Sequence, residues 1–362
     1  MASYDLSRVR YDLNALLPNG DKVYLNQVIE SMQWEENEQE IAQRLNLKLR
    51  DVSYGEKRLS ELLPLCTWVY LFADWGEGFQ EVFRGQIWEW EHSHQRDDSI
   101  SVTCYDPMYY MQKSHDNFYW KKKTKTRTMI DEIMKKWNIP LGEYSGPDVV
   151  HKEAVLLKNK TIIEAIEEIL KDAYDNYEAK KTKIRSREGL IDVYEWGTGE
   201  PIWYFSADTN ITSSKDKYSM TELVTRIIIE GKEDKKNVST VNAVVNGDTS
   251  YGIIQELQTQ GNSALWEAKN KAEKTLEEKG NPKRTIKFES PDFPPIRKGT
   301  LIFVKLDTLG DFYIVNQVSH VATDSKMSMQ CEPLHPPEVK YAHFKTLKEA
   351  DDAIARGDAS NS

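Results

Sequence analysis

The chain has 362 residues, of which 39% are hydrophobic, 29% charged and 10% aromatic, with 10 Trp and 18 Tyr. That is enough large apolar side chain for more than one core, so composition excludes a disordered or low-complexity chain, and length predicts two or three domains. With 48 basic and 58 acidic residues the formal net charge is −10. This argues against general duplex-DNA binding, which needs a cationic face, and no window approaches the roughly 18 apolar residues of a membrane span.

The first twenty residues hold no apolar h-region and no small-residue cleavage site, so no secretion signal is expected. The first third reads as antiparallel β structure. Leu45, Leu47 and Leu49 alternate with Arg44, Asn46, Lys48 and Arg50, the period-two pattern of a half-buried strand. A helical turn is expected at 60–63 before Pro64, then an apolar strand at 68–72 broken by Gly76-Glu77-Gly78. Residues 79–92 read as a long strand with a bulge or bend at Gly85. Polar residues 95–98 turn the chain, and Ile100, Val102 and Cys104 alternate with Ser101, Thr103 and Tyr105 until Asp106-Pro107, completing a hairpin.

The middle third changes period. Met129, Ile130, Ile133, Met134 and Trp137 recur at helical spacing, with Thr126 or Thr128 as N-cap and Pro140 beyond the end. A second helix starts at Thr161, whose partner Glu164 completes a capping box, and it buries Ile162, Ile166, Ile169, Leu170 and Ala173. Strands follow at 183–186 and 190–196, with a glycine turn at 197–199. The last third returns to strands at 223–230, 300–306, 312–320 and 326–332. Between them one amphipathic helix is expected at 263–279, with Leu265, Ala268, Ala272 and Leu276 on one face and Gly280 at C′. A short helix at 346–355, with a Thr346/Glu349 box, precedes a frayed end.

The chain also echoes itself. Residues 92–104 read HSHQRDDSISVTC and continue YDP; residues 320–331 read HVATDSKMSMQC and continue EP. Both are strand, polar turn, strand, with His at the start and Cys near the end. Either two hairpins resemble each other by chance, or the chain carries two copies of one β domain.

No residue pattern compels an enzyme. Trp88-Glu89-Trp90-Glu91, with Asp74 and Glu77 nearby, offers a sugar-binding strip with paired carboxylates. Strand alternation gives the plainer reading, with both Trp on one face and both Glu on the other. His92 and His94 have the i, i+2 spacing of some metal sites but no third ligand. Lys121-Lys122-Lys123-Thr124-Lys125-Thr126-Arg127 resembles a nucleic-acid patch and reads better as a solvated linker. Cys66, Cys104 and Cys331 form no CxxC and are expected as buried, reduced thiols. Asn210-Ile211-Thr212 and Asn237-Val238-Ser239 match the glycosylation pattern without a secretion signal to use it, and Arg356-Gly357-Asp358 reads as chance. No GxSxG, P-loop or GxGxxG occurs, so no catalytic, cofactor-binding or metal residue is assigned and no cofactor is expected.

Residues 82–118 (VFRGQIWEWEHSHQRDDSISVTCYDPMYYMQKSHDNF) and 298–332 (KGTLIFVKLDTLGDFYIVNQVSHVATDSKMSMQCE) resemble the XkdQ/YqbQ-type tail hub of the PBSX phage-like element and of related phage-tail-like bacteriocins. The resemblance implies a mainly β fold with an α+β insertion. Two tube-like antiparallel barrel or sandwich domains are expected at 1–113 and 206–340, the latter including helix 263–279. An α+β domain would fill 114–205 and a helical tail 341–362. It implies a structural, non-enzymatic baseplate hub, assembled in the bacterial cytoplasm and carried in the tail of a virion or bacteriocin particle. The implied partners are two further copies of the chain, the tail tube or its initiator, the central spike, the baseplate wedges and the tape measure protein, with no membrane and no specific nucleic acid. The rival readings are a cell-wall hydrolase using 88–91 and a carbohydrate-binding module.

Overall fold

Alternating apolar residues resolve into strands throughout the first hundred residues of the computed structural model, which describes residues 9–93, 98–233, 239–261, 263–306 and 310–334. In chain order these are β1 (Arg10–Leu16), β2 (Lys22–Tyr24), β3 (Ile29–Glu36), β4 (Arg44–Arg50), β5 (Ser53–Tyr54), β6 (Lys57–Arg58), helix α1 (Leu59–Leu62), β7 (Trp68–Asp74), β8 (Gln80–Ser93) and β9 (Ser99–Tyr105). Leu45, Leu47 and Leu49 are buried, as a period-two strand with one core face requires. Gly76 and Gly78 take the left-handed φ values of 112° and 88° that end β7 in a turn. Gly85 is not itself a bulge, because the ladder slips elsewhere, between Leu71 and Phe72 and between Ile87 and Glu89. The glycine is there for closeness, since a Cβ would lie 2.3 Å from the Tyr105 carbonyl oxygen.

The α+β segment contains α2 (Met108–Lys113), β10 (His115–Trp120), α3 (Thr126–Lys136), β11 (Leu141–Tyr144), β12 (Val155–Thr161), α4 (Ile162–Asn176), β13 (Thr182–Arg187) and β14 (Leu190–Glu195). It has its own core, with Met129, Ile130 and Ile133 of α3 against Ile162, Ile166 and Ile169 of α4. The Thr161/Glu164 capping box forms with both hydrogen bonds, of 2.8 and 3.1 Å. Neither Thr126 nor Thr128 caps α3. Its N-cap is Lys125, and the buried Thr126 hydroxyl is taken instead by His151 Nε2 at 2.9 Å.

The chain continues through β15 (Thr198–Ser206) and β16 (Ser213–Ser219), and after Lys215 it leaves the main compact body. A smaller lobe, residues 216–285, contains β17 (Arg226–Glu233), β18 (Ser239–Asn246), β19 (Gln255–Thr259) and α5 (Leu265–Lys279). Its strand order is β18-β17-β19, and Ala268, Ala272 and Leu276 of α5 cover Ile227 and Ile229. Gly280 is the C-cap at φ −79°, so α5 closes without the expected left-handed C′ glycine; the Gly280 N–H simply reaches Leu276 O at 2.7 Å.

The chain re-enters the main body at Ile286 with β20 (Lys283–Pro291), β21 (Thr300–Lys305), β22 (Gly310–Val321) and β23 (Lys326–Pro333). The main sheet has thirteen strands in the order β16-β20-β23-β22-β3-β4-β9-β8-β7-β1-β2, with β21 also on β22 and β15 on β21. The protein is therefore mainly β, as expected, and its strand pairs are mostly antiparallel, with β15–β21, β17–β19 and β11–β14 parallel. The expected barrels do not close. Among the described residues the sheet path is open, because β3 joins the early hairpins to the late ones side by side instead of letting each close on itself. One core serves both regions, with Leu45, Leu71 and Ile100 in the same cluster as Ile302, Val315 and Met329. The expected tail helix and the polar turn at 95–97 lie outside the described residues. No described helix is long and apolar enough to cross a membrane.

Candidate assembly surface

The echo in the sequence is a repeat in the structure, down to the register. The order β4-β9-β8-β7 recurs as β20-β23-β22-β21. Cys104 stands between Leu45 and Ile87, and Cys331 stands between Ile286 and Val315. Immediately afterwards both ladders slip by one residue, between Ile87 and Glu89 and between Val315 and Gln317. His92 then faces Ile100, and His320 faces Met327. An aspartate follows the outer strand in each copy, with Asp51 N–H on Asp98 O at 2.9 Å and Asp292 N–H on Ser325 O at 3.0 Å. Each aspartate meets the echoed histidine: Asp51 Oδ2 is 3.3 Å from His92 Nε2, and Asp292 Oδ1 is 2.7 Å from His320 Nδ1. Two hairpins alike by chance would not share the outer strands, the slip and the Asp–His contact.

In the second copy this contact is sealed. His320 Nε2 faces Ile296 O at 3.0 Å, the Tyr11 hydroxyl donates to Asp292 Oδ2, and the Trp34 ring stacks on His320 at 3.9 Å and 4°. Both imidazole nitrogens face oxygen atoms, so the ring is held on both sides within a buried polar network. Burial, then Asp292, pushes the Tyr11 hydroxyl well above its ordinary pKa, keeping it a donor. The Tyr–Asp–His arrangement has the parts of a catalytic relay but no access for a substrate: His320 and Asp292 are 0% and 1% exposed.

The two copies meet at β3, which pairs with β4 on one side and β22 on the other. Gln33, Trp34, Glu35 and Glu36 stand opposite Val321, His320, Ser319 and Val318. At the end of β3, Glu36 takes a bidentate pair from Arg297 at 2.7 and 2.9 Å and the Lys298 N–H at 2.9 Å. Burial would raise this carboxyl, but the Arg297 charge and hydrogen bonds hold it below its usual value. The Lys298 ammonium caps the carbonyls of Asn37 and Glu40 at 2.5 and 3.1 Å, and Arg297 also approaches Ser186 O of β13 at 3.5 Å. Nearby, burial pushes the Asp106 carboxyl up to about 7, although the Met108 N–H donates to it. None of these charges was legible as a site in the sequence: Glu36 and Arg297 are 261 residues apart and no local motif marks either.

The residues singled out from the sequence scatter into structural roles. Trp88 and Trp90 do not share a face, because Trp88 is the extra residue at the slip and packs against Tyr109 and Tyr110, both at 4.7 Å, while Trp90 stands opposite the buried Val102 and is partly exposed. Glu89 and Glu91 are exposed. Asp74 closes its own turn by accepting from the N–H groups of Gly76 and Gly78 and from Arg10. In the basic run, Lys125 pairs with Asp148 at 2.6 Å and Arg127 with Asp131 at 2.9 Å. Cys104 and Cys331 are buried and burial raises both thiols, whereas Cys66, expected buried, is exposed on a turn at φ 66°. Asn210 closes a turn, accepting the Ser206 N–H at 2.8 Å. His94, Asn237 and residues 356–358 lie outside the described residues. Among the described residues no three His, Cys, Asp or Glu side chains converge on a metal-sized site. A cavity of about 200 Å³ lies in the α+β segment, lined mainly by Pro107, Tyr110, Met111, Trp137, Ile162 and Ile191, and it gathers no paired carboxylates.

The largest shared feature is the doubled sheet unit, whose end strand β16 carries no further strand among the described residues. Solved structures share this fold. A tail protein from Neisseria meningitidis MC58 superposes with a TM-score of 0.65 at 10% identity, covering 90% of this chain and 97% of its own. The 43 kDa tail protein of prophage MuSo2 from Shewanella oneidensis gives 0.65 at 12% identity, covering 89% and 97%. An E. coli type VI secretion component, described as similar to the T4 bacteriophage tail proteins gp27 and gp5, gives 0.52 at 13% identity, covering 88% and 77%. The comparison with curated proteins gives no match. The YQBQ-like family model matches residues 72–332, most of the chain and both copies of the repeated hairpin, and the chain belongs to that family.

Proposed function

We propose that the protein is the structural hub of a contractile tail baseplate. In this reading three copies close into a ring whose six β units match the hexameric tail tube on one face and the trimeric spike on the other. The observation that carries it is the duplicated four-strand unit: two equivalent units per chain turn threefold symmetry into pseudo-sixfold symmetry without a second gene product. Residues 1–113 and 206–340 would be the two tube-like units, with 114–205 and the tail beyond 340 facing wedge, spike or tape measure proteins. The likeness to tail proteins and to the gp27/gp5-like secretion component supports the same reading. A trimer would carry a formal charge of about −30, three times −10, and like-charge repulsion would keep DNA from adhering in its lumen. The sealed Tyr11–Asp292–His320 network and the structural use of Asp74 favour a non-enzymatic role over a hydrolase using 88–91.

Light scattering on a size-exclusion column, with and without the cognate spike, tests the reading. A trimer near 126 kDa, three times 42.0 kDa, is the expected result. A monomer at every concentration and with every tail partner overturns it. Release of soluble fragments from peptidoglycan would then favour the hydrolase.

A further inference from the structure

We propose that β16 of one copy adds, antiparallel, to the 89–93 end of β8 in the next copy, and that three such joins close the ring. This inference rests on the ring reading above and names the surface that would build it. The template is inside the chain. In the second unit, β22 is paired along its first half by β21 and along its second half, residues 318–321, by β3 from the first unit. In the first unit, β8 is paired by β7 only over residues 80–86, and among the described residues no strand lies along the same edge at 89–91. Those residues are the register equivalents of 317–319, because His92 matches His320 and Ile87 matches Val315. The missing neighbour has an obvious source. β16 stands beside β20 as β3 stands beside β4, and it is the end strand of the sheet. Among the described residues β16 has no strand on its outer side and β8 has none at 89–91 on the edge opposite β9, and such open edges are templates for edge-to-edge addition between copies.

The side chains fit the same join. Arg284 is in phase with the buried Ile286 and Phe288 on β20, and it holds Asp216 at 2.6 Å and lies over Tyr218. Asp216 and Tyr218 therefore share the core-side face of β16, and the exposed Lys215 and Lys217 take the other. On β8, Trp90 stands opposite the buried Val102 and so takes the core-side face, leaving the exposed Glu89 and Glu91 on the other. Joined antiparallel with these faces matched, the strands bring Lys215 and Lys217 to the side of Glu89 and Glu91, and Tyr218 to the side of Trp90. Tyr218 and Trp90 are 49% and 37% exposed in the single chain, and the join would cover both.

Full-length chains carrying Cys66→Ser test this. One tagged chain also carries Glu91→Cys, and a second, differently tagged, carries Lys215→Cys or Lys217→Cys. Mixing and mild oxidation should give a disulfide-linked pair of the two tags with at least one of the lysine variants, and none with Lys158→Cys in the α+β segment. A chain carrying both cysteines should give a ladder ending at three. Glu89→Lys with Glu91→Lys should weaken association at least tenfold, Lys215→Glu with Lys217→Glu should do the same, and mixing the two reversed chains should restore pairing between them. A trimer by light scattering without the cross-link overturns this interface while leaving the hub reading in place. Neither trimer nor cross-link overturns both, and a ladder running past three overturns closure.

Discussion

In the second unit His320 lies under the Trp34 ring, with β3 paired along its strand and both nitrogens engaged. In the first unit His92 holds the same register and the same kind of aspartate, but its neighbour is Trp90, at 5.8 Å and partly exposed. The two hairpins share a register, and they differ in what surrounds the histidine. At the histidine end one hairpin is flanked by β3, and among the described residues no strand flanks the other there. A duplicated unit inside one chain satisfies one junction internally, at β3 on β22, and in the proposed ring the second falls between β16 and the open edge of β8 in the next copy.

The largest effect should come from the internal junction. Arg297→Met leaves Glu36 buried without its cation, and the loss should be roughly 3–5 kcal/mol, read by chemical denaturation of the main body. Retention of full stability would mean that the junction is held by the sheet alone.

Asp106 sharpens the contrast through pH, because the first unit places an ionisable buried side chain where the second has Pro333. Its folded-state carboxyl is raised to about 7 from 3.8. Between those values the folded state binds more protons than the unfolded state, so this group's contribution falls as pH rises from about 4 to 7. Asp106→Asn should remove that decline, with a relative gain of up to roughly 4 kcal/mol by pH 8 at about 1.4 kcal/mol per unit. Parallel stability curves for the two proteins from pH 5 to 8 would contradict it.

The paired histidines test the comparison most directly. His320→Ala removes a stacked ring from a fully buried site and takes away a hydrogen-bond partner of Asp292 and the Ile296 carbonyl, at a cost of roughly 2–4 kcal/mol. His92→Ala should cost under about 1 kcal/mol in the isolated chain. Equal melting shifts for the two variants would erase the difference in surroundings. Gly85→Ala should cost roughly 1–3 kcal/mol in thermal melts, because its Cβ would press on the Tyr105 carbonyl. The register equivalent in the second unit is Tyr313, which packs in the core.

The sequence by itself determined the elements whose period is strong and whose partners are local. Leu45, Leu47 and Leu49 made a strand, and Thr161 with Glu164 opened a helix, because side-chain alternation and capping act within a few residues. The hairpins at β8–β9 and β22–β23 were legible for the same reason, and so was their kinship. Short or weakly patterned strands such as β2, β10, β16 and β19 were not, since what makes them strands is a partner elsewhere in the chain. Only the tertiary structure decided that the two units share one open sheet and one core, and that Trp88 turns away from Trp90 at a slip in the ladder. It also decided that Glu36 meets Arg297 and that Tyr11 meets Asp292. Those pairs join residues hundreds of positions apart, and burial, which gives them their strength, exists only once the sheet has formed.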